Sequence, residues 1–201
     1  MVPTSVHPSQ RFEVSLLGHL ASSIHPLLIE KLSRMSILSS PFIQEESLMQ
    51  PLARQIGSRA EDGTIRARKV DEDGELMTYL VAYQRPESIR ATPQALVTPC
   101  TYTQISAGCS GEEAATQLGF QKVSSSTKRG FIFMLAVGLR IEVYSLDTND
   151  VRSPSTPETY TIKVLSPPIP YALVAQTIEH ALNIRRQLVG LVKLGRVEGS
   201  N

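Results

Sequence analysis

The alternation of apolar and polar positions along this chain predicts mostly strands. Over RFEVSLLGHL, Phe12, Val14 and Leu16 alternate with Glu13 and Ser15 until Leu17 breaks the rhythm, so a first strand with a partly apolar second face is expected. The period then lengthens. Leu28, Leu32 and Met35 recur at helical spacing, which predicts a helix capped by Ser22 or Ser23, with Pro26 in its first turn and an end near Leu38. Residues 39–63 carry scattered Leu and Ile with no sustained period and read as a long connection holding at most one helical turn. Alternation resumes in TIRARKV, with Arg66, Arg68 and Val70 on one face and Ile65, Ala67 and Lys69 on the other. DEDG at 71–74 turns that strand into ELMTYLVAYQ, a hairpin.

Further on, ALVTPCTYTQISAG reads as an interrupted strand, in which Pro99 suggests an edge or a bulge because it cannot donate to a ladder. Ser110 and Glu113 form a capping-box pattern for a two-turn helix that Gly119 stops. Phe120–Gly130 and Phe131–Val137, with the segment after Gly138, are expected as two or three adjacent antiparallel strands. Gly138 then turns the chain into LRIEVYSL, which sets Leu139, Ile141 and Val143 opposite Arg140, Glu142 and Tyr144. Residues 147–158 form a Ser-, Pro- and Asp-rich loop before the strand TYTIKVLS, and Pro170 opens a closing helix of about 20 residues whose apolar stripe includes Val174, Ile178, Ala181, Leu182, Leu188 and Val192. No βαβ repeat is present. The pattern therefore predicts a mainly β (α+β) fold, an antiparallel barrel-like sheet with about three helices. One domain is expected over 12–195, interrupted by loops at 39–63 and 147–158, with a flexible arm at 1–11 and a flexible end at 196–201.

Composition narrows the function classes. With 20 Lys and Arg against 19 Asp and Glu the formal charge is +1, so no global field steers the chain onto nucleic acid or anionic lipid. Basic residues are not interleaved with aromatics, and direct sequence-specific nucleic-acid binding is not expected. The longest strongly apolar run, Gly130–Leu139, is half the roughly 20 residues that a spanning helix needs, and no membrane association is expected. Residues 1–10 lack a leader pattern, so Cys100 and Cys109 read as reduced thiols. His7, His19, His25 and His180 are too scattered for a metal signature, and no nucleophile elbow or phosphate-binding glycine loop occurs. Neither metal nor cofactor is expected, and Cys109, although near a helix start, reads as an ordinary loop cysteine. Arg66 and Arg68 have two destinations. Inside a closed barrel they would mark an anion-holding tunnel, compensated by acids such as Glu75 or Glu142. Outside they would be the solvated face of an amphipathic strand, which is the expectation.

Six pieces in linear order carry a resemblance: SLLGHL before a leucine-rich helix, IRARKV before an acidic turn and LMTYLVAY, then LGFQKV with KRGFIF, VGLRIEVYSL, YTIKVLSP, and ALVAQTIEHALNIRRQL. In that order the chain resembles the family of Mediator head-module subunit 18, which serves RNA polymerase II transcription. The resemblance covers most of residues 12–192. It implies a nuclear, noncatalytic scaffold and transcription coregulator that pairs with head subunit 20, holds the C-terminal helix of subunit 8, joins other head-module subunits and meets the polymerase machinery indirectly. The same fold is similar to triphosphate-tunnel enzymes, the alternative reading, which use alternating acids on the first strand. Here Glu13 is followed by Ser15 and Leu17, so that series is lost and Arg66 and Arg68 become a candidate vestigial anion site. Leu17, Phe131, Phe133 and Leu135 are candidates for partner contact or core, with Phe131 and Phe133 expected to behave alike.

Overall fold

The computed structural model describes residues 10–52, 63–106, 108–148 and 159–197, and among them nine antiparallel strands and three α-helices form. In chain order they are β1 (Arg11–Ala21), α1 (His25–Met35), β2 (Leu38–Pro51), β3 (Ile65–Glu72), β4 (Glu75–Tyr83), β5 (Leu96–Gln104), α2 (Gly111–Gln117), β6 (Phe120–Met134), β7 (Arg140–Thr148), β8 (Thr159–Leu165), the short β9 (Ile169–Pro170) and α3 (Val174–Gln187). The sheet order is β5-β4-β3-β2-β6-β7-β8-β1-β9, and β5 also pairs with β1. That last pairing closes eight strands into a barrel, with β9 continuing beside the start of β1.

The barrel is dressed inside out. On β1 the apolar set Phe12, Val14, Leu16 and Leu20 faces outward into the main core, together with Val97, Phe133, Ile141, Val143, Ile162 and Val164 from other strands. Leu28 and Leu32 of α1 and Val174, Ala181 and Ile184 of α3 cover it. The alternate positions, Glu13, Arg68, Tyr83, Tyr102 and Lys163, meet one another in the barrel interior. A smaller apolar group, Phe42, Ile132 and Tyr144, packs together elsewhere on the inward face.

Inverted dressing explains why β2 escapes sequence reading. Residues 39–63 were expected as a connection, yet 38–51 form a 14-residue strand paired with β3 on one side and β6 on the other. Its buried positions Ser40, Phe42, Gln44 and Glu46 alternate correctly but are mostly polar, so hydrophobic period does not report them. Residues 53–62 lie outside the described residues, as do 149–158 of the second expected loop, whereas Asp147 and Thr148 still belong to β7.

Four smaller expectations also change. Of the two or three strands expected from Phe120 onward, two form: β6 is one strand of 15 residues, because Gly130 lets the chain run against β7, where a Cβ would lie 2.0 Å from the Val143 carbonyl oxygen. Pro99 sits in a strand paired on both sides, not at an edge or bulge; its carbonyl accepts from the Gln84 amide just past the end of β4, so its missing donor falls where the ladder runs out. Helix α1 begins at His25 without a side-chain cap, its first turn entered by Pro26. Helix α3 has 14 residues after a 3₁₀ turn at Tyr171–Leu173 and stops before Gly190, whose φ of +89° reverses the chain. The hairpin of β3 and β4 and the capping box of Ser110 and Glu113 form as the sequence predicts.

Phe133 and Leu135 are buried in the main core, and Leu17 is half-buried. Phe131 differs from Phe133 although both point outward: it is 41% exposed against 1% because the helical cover ends between them. Replacing Phe133 with Ala should cost about 3 to 5 kcal/mol by lost burial and a cavity. Replacing Phe131 should cost under about 1 kcal/mol, and the two denaturant midpoints check the contrast.

Candidate functional site

Interior chemistry begins with three buried carboxylates, Glu13 on β1, Glu46 on β2 and Glu142 on β7. Each is met by a cation from a neighbouring or nearby inward position. Glu46 takes both arginines of β3: Arg66 binds one carboxylate oxygen, while Arg68 Nη2 and Nε bind the other at 2.7 and 2.9 Å. Lys163 on β8 donates to Glu13 at 3.0 Å, and Arg140 lies 2.8 Å from Glu142. Two phenols complete the cluster, since Tyr83 and Tyr102 both donate to Glu13 Oε2 and Arg68 donates to both hydroxyls.

This places the arginine pair opposite to the expectation. Arg68 is 6% exposed and the Arg66 side chain 26%, so the pair faces the interior and not solvent. Inward-facing positions follow from the strands' partners, and the compensating acid is neither Glu75, which is exposed, nor Glu142, which serves Arg140. It is Glu46, within the segment that the sequence left as a loop. Pairing of β2 with β3 sets Glu46 directly opposite Arg68, which is why the ion pair forms there. Glu46, Lys163, Arg140, Tyr83 and Tyr102 were not singled out as a site. The available signal was polarity at every second residue on one face, visible in Arg140, Glu142 and Tyr144.

The electrostatics follow from these contacts. Burial alone would raise the Glu13 carboxyl, but Lys163 and Arg68 outweigh it and hold Glu13 at about 2. Burial opposes ionisation of Glu46 too, yet Arg68, Lys128 and Arg66 keep it well below the usual carboxylate range. Burial pushes the phenols of Tyr83 and Tyr102 up, and Glu13 pushes them further. Cys100 is a buried thiol pushed up to about 12 by the same two causes, surroundings that disfavour the thiolate. Lys128 of β6 lies 5.0 Å from the Tyr144 ring centroid and makes no ion pair among the described residues; burial lowers its pKa. No group of three or more His, Cys, Asp or Glu side chains that could hold a metal ion occurs among the described residues.

Outside the barrel, away from α1 and α3, helix α2 covers the outer wall only at its Met49, Ala67 and Leu80 end and leaves the rest bare. The bare part carries Pro41 and Ile43 on β2, Phe131 and Arg129 on β6, and Leu76 on β4, with Ile43, Phe131 and Leu76 exposed. A second exposed apolar area is a groove between α1 and the turn after α3, lined by Leu27, Met35, Val189 and Leu191 and rimmed by Glu30, Lys31 and Arg34.

Solved structures share this architecture. The barrel is similar to a chain of the Mediator head module. That chain, from Schizosaccharomyces pombe, aligns with a TM-score of 0.75 at 14% identity over 92% of this chain and 98% of its own. A protein from Pyrococcus horikoshii aligns at 0.64 with 18% identity, covering 92% of this chain and 94% of that one. A putative adenylyl cyclase from Hippeastrum, described as having a dominant triphosphatase activity, aligns at 0.54 with 13% identity, covering 95% and 92%. No family model and no curated protein matches the sequence. At these identities the comparisons establish the fold alone: a mainly β, closed antiparallel barrel with about three helices, shared with a Mediator head-module chain and with putative adenylyl cyclases.

The Glu46 ion pairs set two expectations. Glu46→Ala leaves Arg68 buried without its carboxylate and should cost about 3 to 5 kcal/mol in chemical unfolding, whereas Arg66→Ala, at a half-exposed position, should cost about 1 kcal/mol or less. Glu13 titrates near 4.5 when free of the fold and at about 2 within it, so its contribution is complete above pH 4.5 and is lost as pH falls towards 2. Roughly 3 kcal/mol should disappear across that window. The acid limb measured in Glu13→Gln should be correspondingly shallower.

Proposed function

We propose that this chain is a noncatalytic subunit of the Mediator head module, a nuclear protein-binding scaffold in the regulation of RNA polymerase II transcription. One observation carries the reading: the three interior carboxylates are already bound by interior cations, while the unsatisfied apolar surface lies on the outside of the barrel. Carboxylates engaged in this way are poorly placed to gather a metal, whereas exposed Ile43, Phe131 and Leu76 suit a protein interface. The order of sequence pieces that resembles subunit 18 supports the same assignment, as does the likeness to a head-module chain across nearly its full length.

Within this reading the bare wall of β2, β4 and β6 receives the broad partner, subunit 20. The groove between α1 and the turn after α3 receives the C-terminal helix of subunit 8, with aliphatic anchors between Leu27, Met35 and Val189 and an acidic residue against Lys31. Leu17, Phe133 and Leu135 support these surfaces from within, and Phe131 contacts the partner itself. Remaining head subunits attach through that pair, and contact with the polymerase is indirect.

The competing reading, a barrel that handles triphosphate, draws on Lys128, which adds cationic charge beyond what the buried acids neutralise. Its proposed vestigial anion site, Arg66 and Arg68, is shared with Glu46, which weighs against tight binding of a further anion. Millimolar tripolyphosphate should therefore move the melting temperature no further than chloride of equal ionic strength. A shift of several degrees that disappears in the Arg66→Ala, Arg68→Ala double variant would establish the competing reading instead.

Sedimentation of the chain with subunit 20 and with the subunit 8 helix tests the scaffold. A complex at micromolar concentration is expected in each case. Phe131→Asp should weaken the first at least about tenfold and leave the second unchanged, and Leu27→Asp should do the reverse. Failure of the wild-type chain to bind either component would overturn the reading.

A further inference from the structure

Where the β5–β1 pairing that closes the barrel runs out, the β1 edge is covered by a piece of chain that is not a barrel strand. β1 runs to Ala21, but β5 pairs only with its residues 11–15. Beyond Ser15 the same edge receives the segment after α3: the Leu17 amide donates to the Gly195 carbonyl at 2.9 Å, and the Gly195 amide returns a bond to the Leu17 carbonyl at 3.0 Å. Val192 and Leu194 of this segment are buried in the main core, and exposed Lys193 lies between them. Gly18 lets the segment lie flat on β1, because a Cβ there would stand 2.7 Å from the Lys193 carbonyl oxygen.

Arg196 then crosses to the connection between β4 and β5. Its Nη1 donates to the Thr92 carbonyl, the Thr92 hydroxyl and the Ala95 carbonyl at 2.7, 2.9 and 3.0 Å, and its Nη2 donates to the Glu87 carbonyl at 2.6 Å. These carbonyls belong to a stretch without strand pairing of its own, apart from bonds such as Glu87 N–H to the Val97 carbonyl. One side chain thus ties the end of the described chain, the β1 edge and the β4–β5 connection together.

We infer that residues 191–196 form a strap that docks on β1 and releases as a unit while the barrel stays folded, with Arg196 as its latch. The reason for independent release is its small stake in the sheet. On β1 a single pair of backbone bonds holds it, helped by buried Val192 and Leu194, by Leu191 packed beside them, by the bonds of the Leu191 and Val192 amides to the Leu188 carbonyl and by the Arg196 guanidinium, whereas each barrel strand is held along a ladder. Release leaves the Leu17 N–H and C=O open on the β1 edge and frees residues 87–95, so the strap governs access to an edge that strand pairing leaves uncovered. This inference does not depend on the proposed function.

Amide hydrogen exchange on the full chain tests it. In the wild-type protein the Leu17 amide should exchange faster than the amides of β7, and with a weaker dependence on urea. Arg196→Ala should accelerate Leu17 and residues 87–95 by about tenfold or more and leave β7 unchanged. Gly18→Ala, which presses a methyl group against the Lys193 carbonyl, should accelerate Leu17 in the same way. Equal rates and equal urea dependence for Leu17 and β7 in the wild type would show that the strap opens only when the barrel unfolds, and would overturn the inference even if a variant failed to fold. Unchanged Leu17 protection in a folded Arg196→Ala protein would equally overturn it.

Discussion

Charges turned into a closed barrel must be neutralised there, because solvent cannot do it for them. In this chain the burden falls first on Glu46, which holds both arginines of β3 and thereby ties β2 to β3 from inside the wall. Arg68 passes the connection to Tyr83 and Tyr102, and these to Glu13 and Lys163, so a continuous set of polar contacts reaches from β2 through β3, β4 and β5 to β1 and β8. The route crosses the β5–β1 pairing on which closure depends. Closure and charge compensation are therefore one problem in this fold: opening the seam exposes the cluster, and breaking the cluster leaves ions stranded beside the seam.

The same constraint separates the two faces of the wall in function. Polar groups committed to one another inside have little capacity left for ligands, while the apolar groups outside are divided between a helix-covered half and a bare half. A fold of this kind can exchange chemistry for docking without changing its strand order. All that is required is that interior acids find cations and that part of the outer wall remain uncovered.

Legibility from sequence tracked which way each apolar face pointed. β7 and β8, and β1 as far as Leu16, alternate cleanly because their outward apolar residues meet the helices, and the β3–β4 hairpin is announced by DEDG. β2 was illegible because its inward positions hold Gln44 and Glu46 while Pro41 and Ile43 face outward, reversing the usual sense of burial. Losing β2 also hid Glu46, the acid that compensates Arg66 and Arg68 inside, while the expectation that the pair faces solvent rests on the acids missing from β1. Phe131 and Phe133 show a different limit: period assigns both to one face, but only the extent of the helical cover decides which is buried.

The tyrosines give this barrel a spectroscopic property of its own. The chain has six tyrosines and no tryptophan, so its near-ultraviolet absorbance belongs largely to phenols. Tyr83 and Tyr102 sit against a buried carboxylate, and Tyr144 is pushed up to about 12 by burial and by Glu142. Tyr83 and Tyr102, held against Glu13, resist becoming phenolates more strongly than Tyr144 does. In alkali the part of the red-shifted phenolate band that belongs to these two rings therefore comes last, and it is an optical marker for loss of closure that requires no added dye.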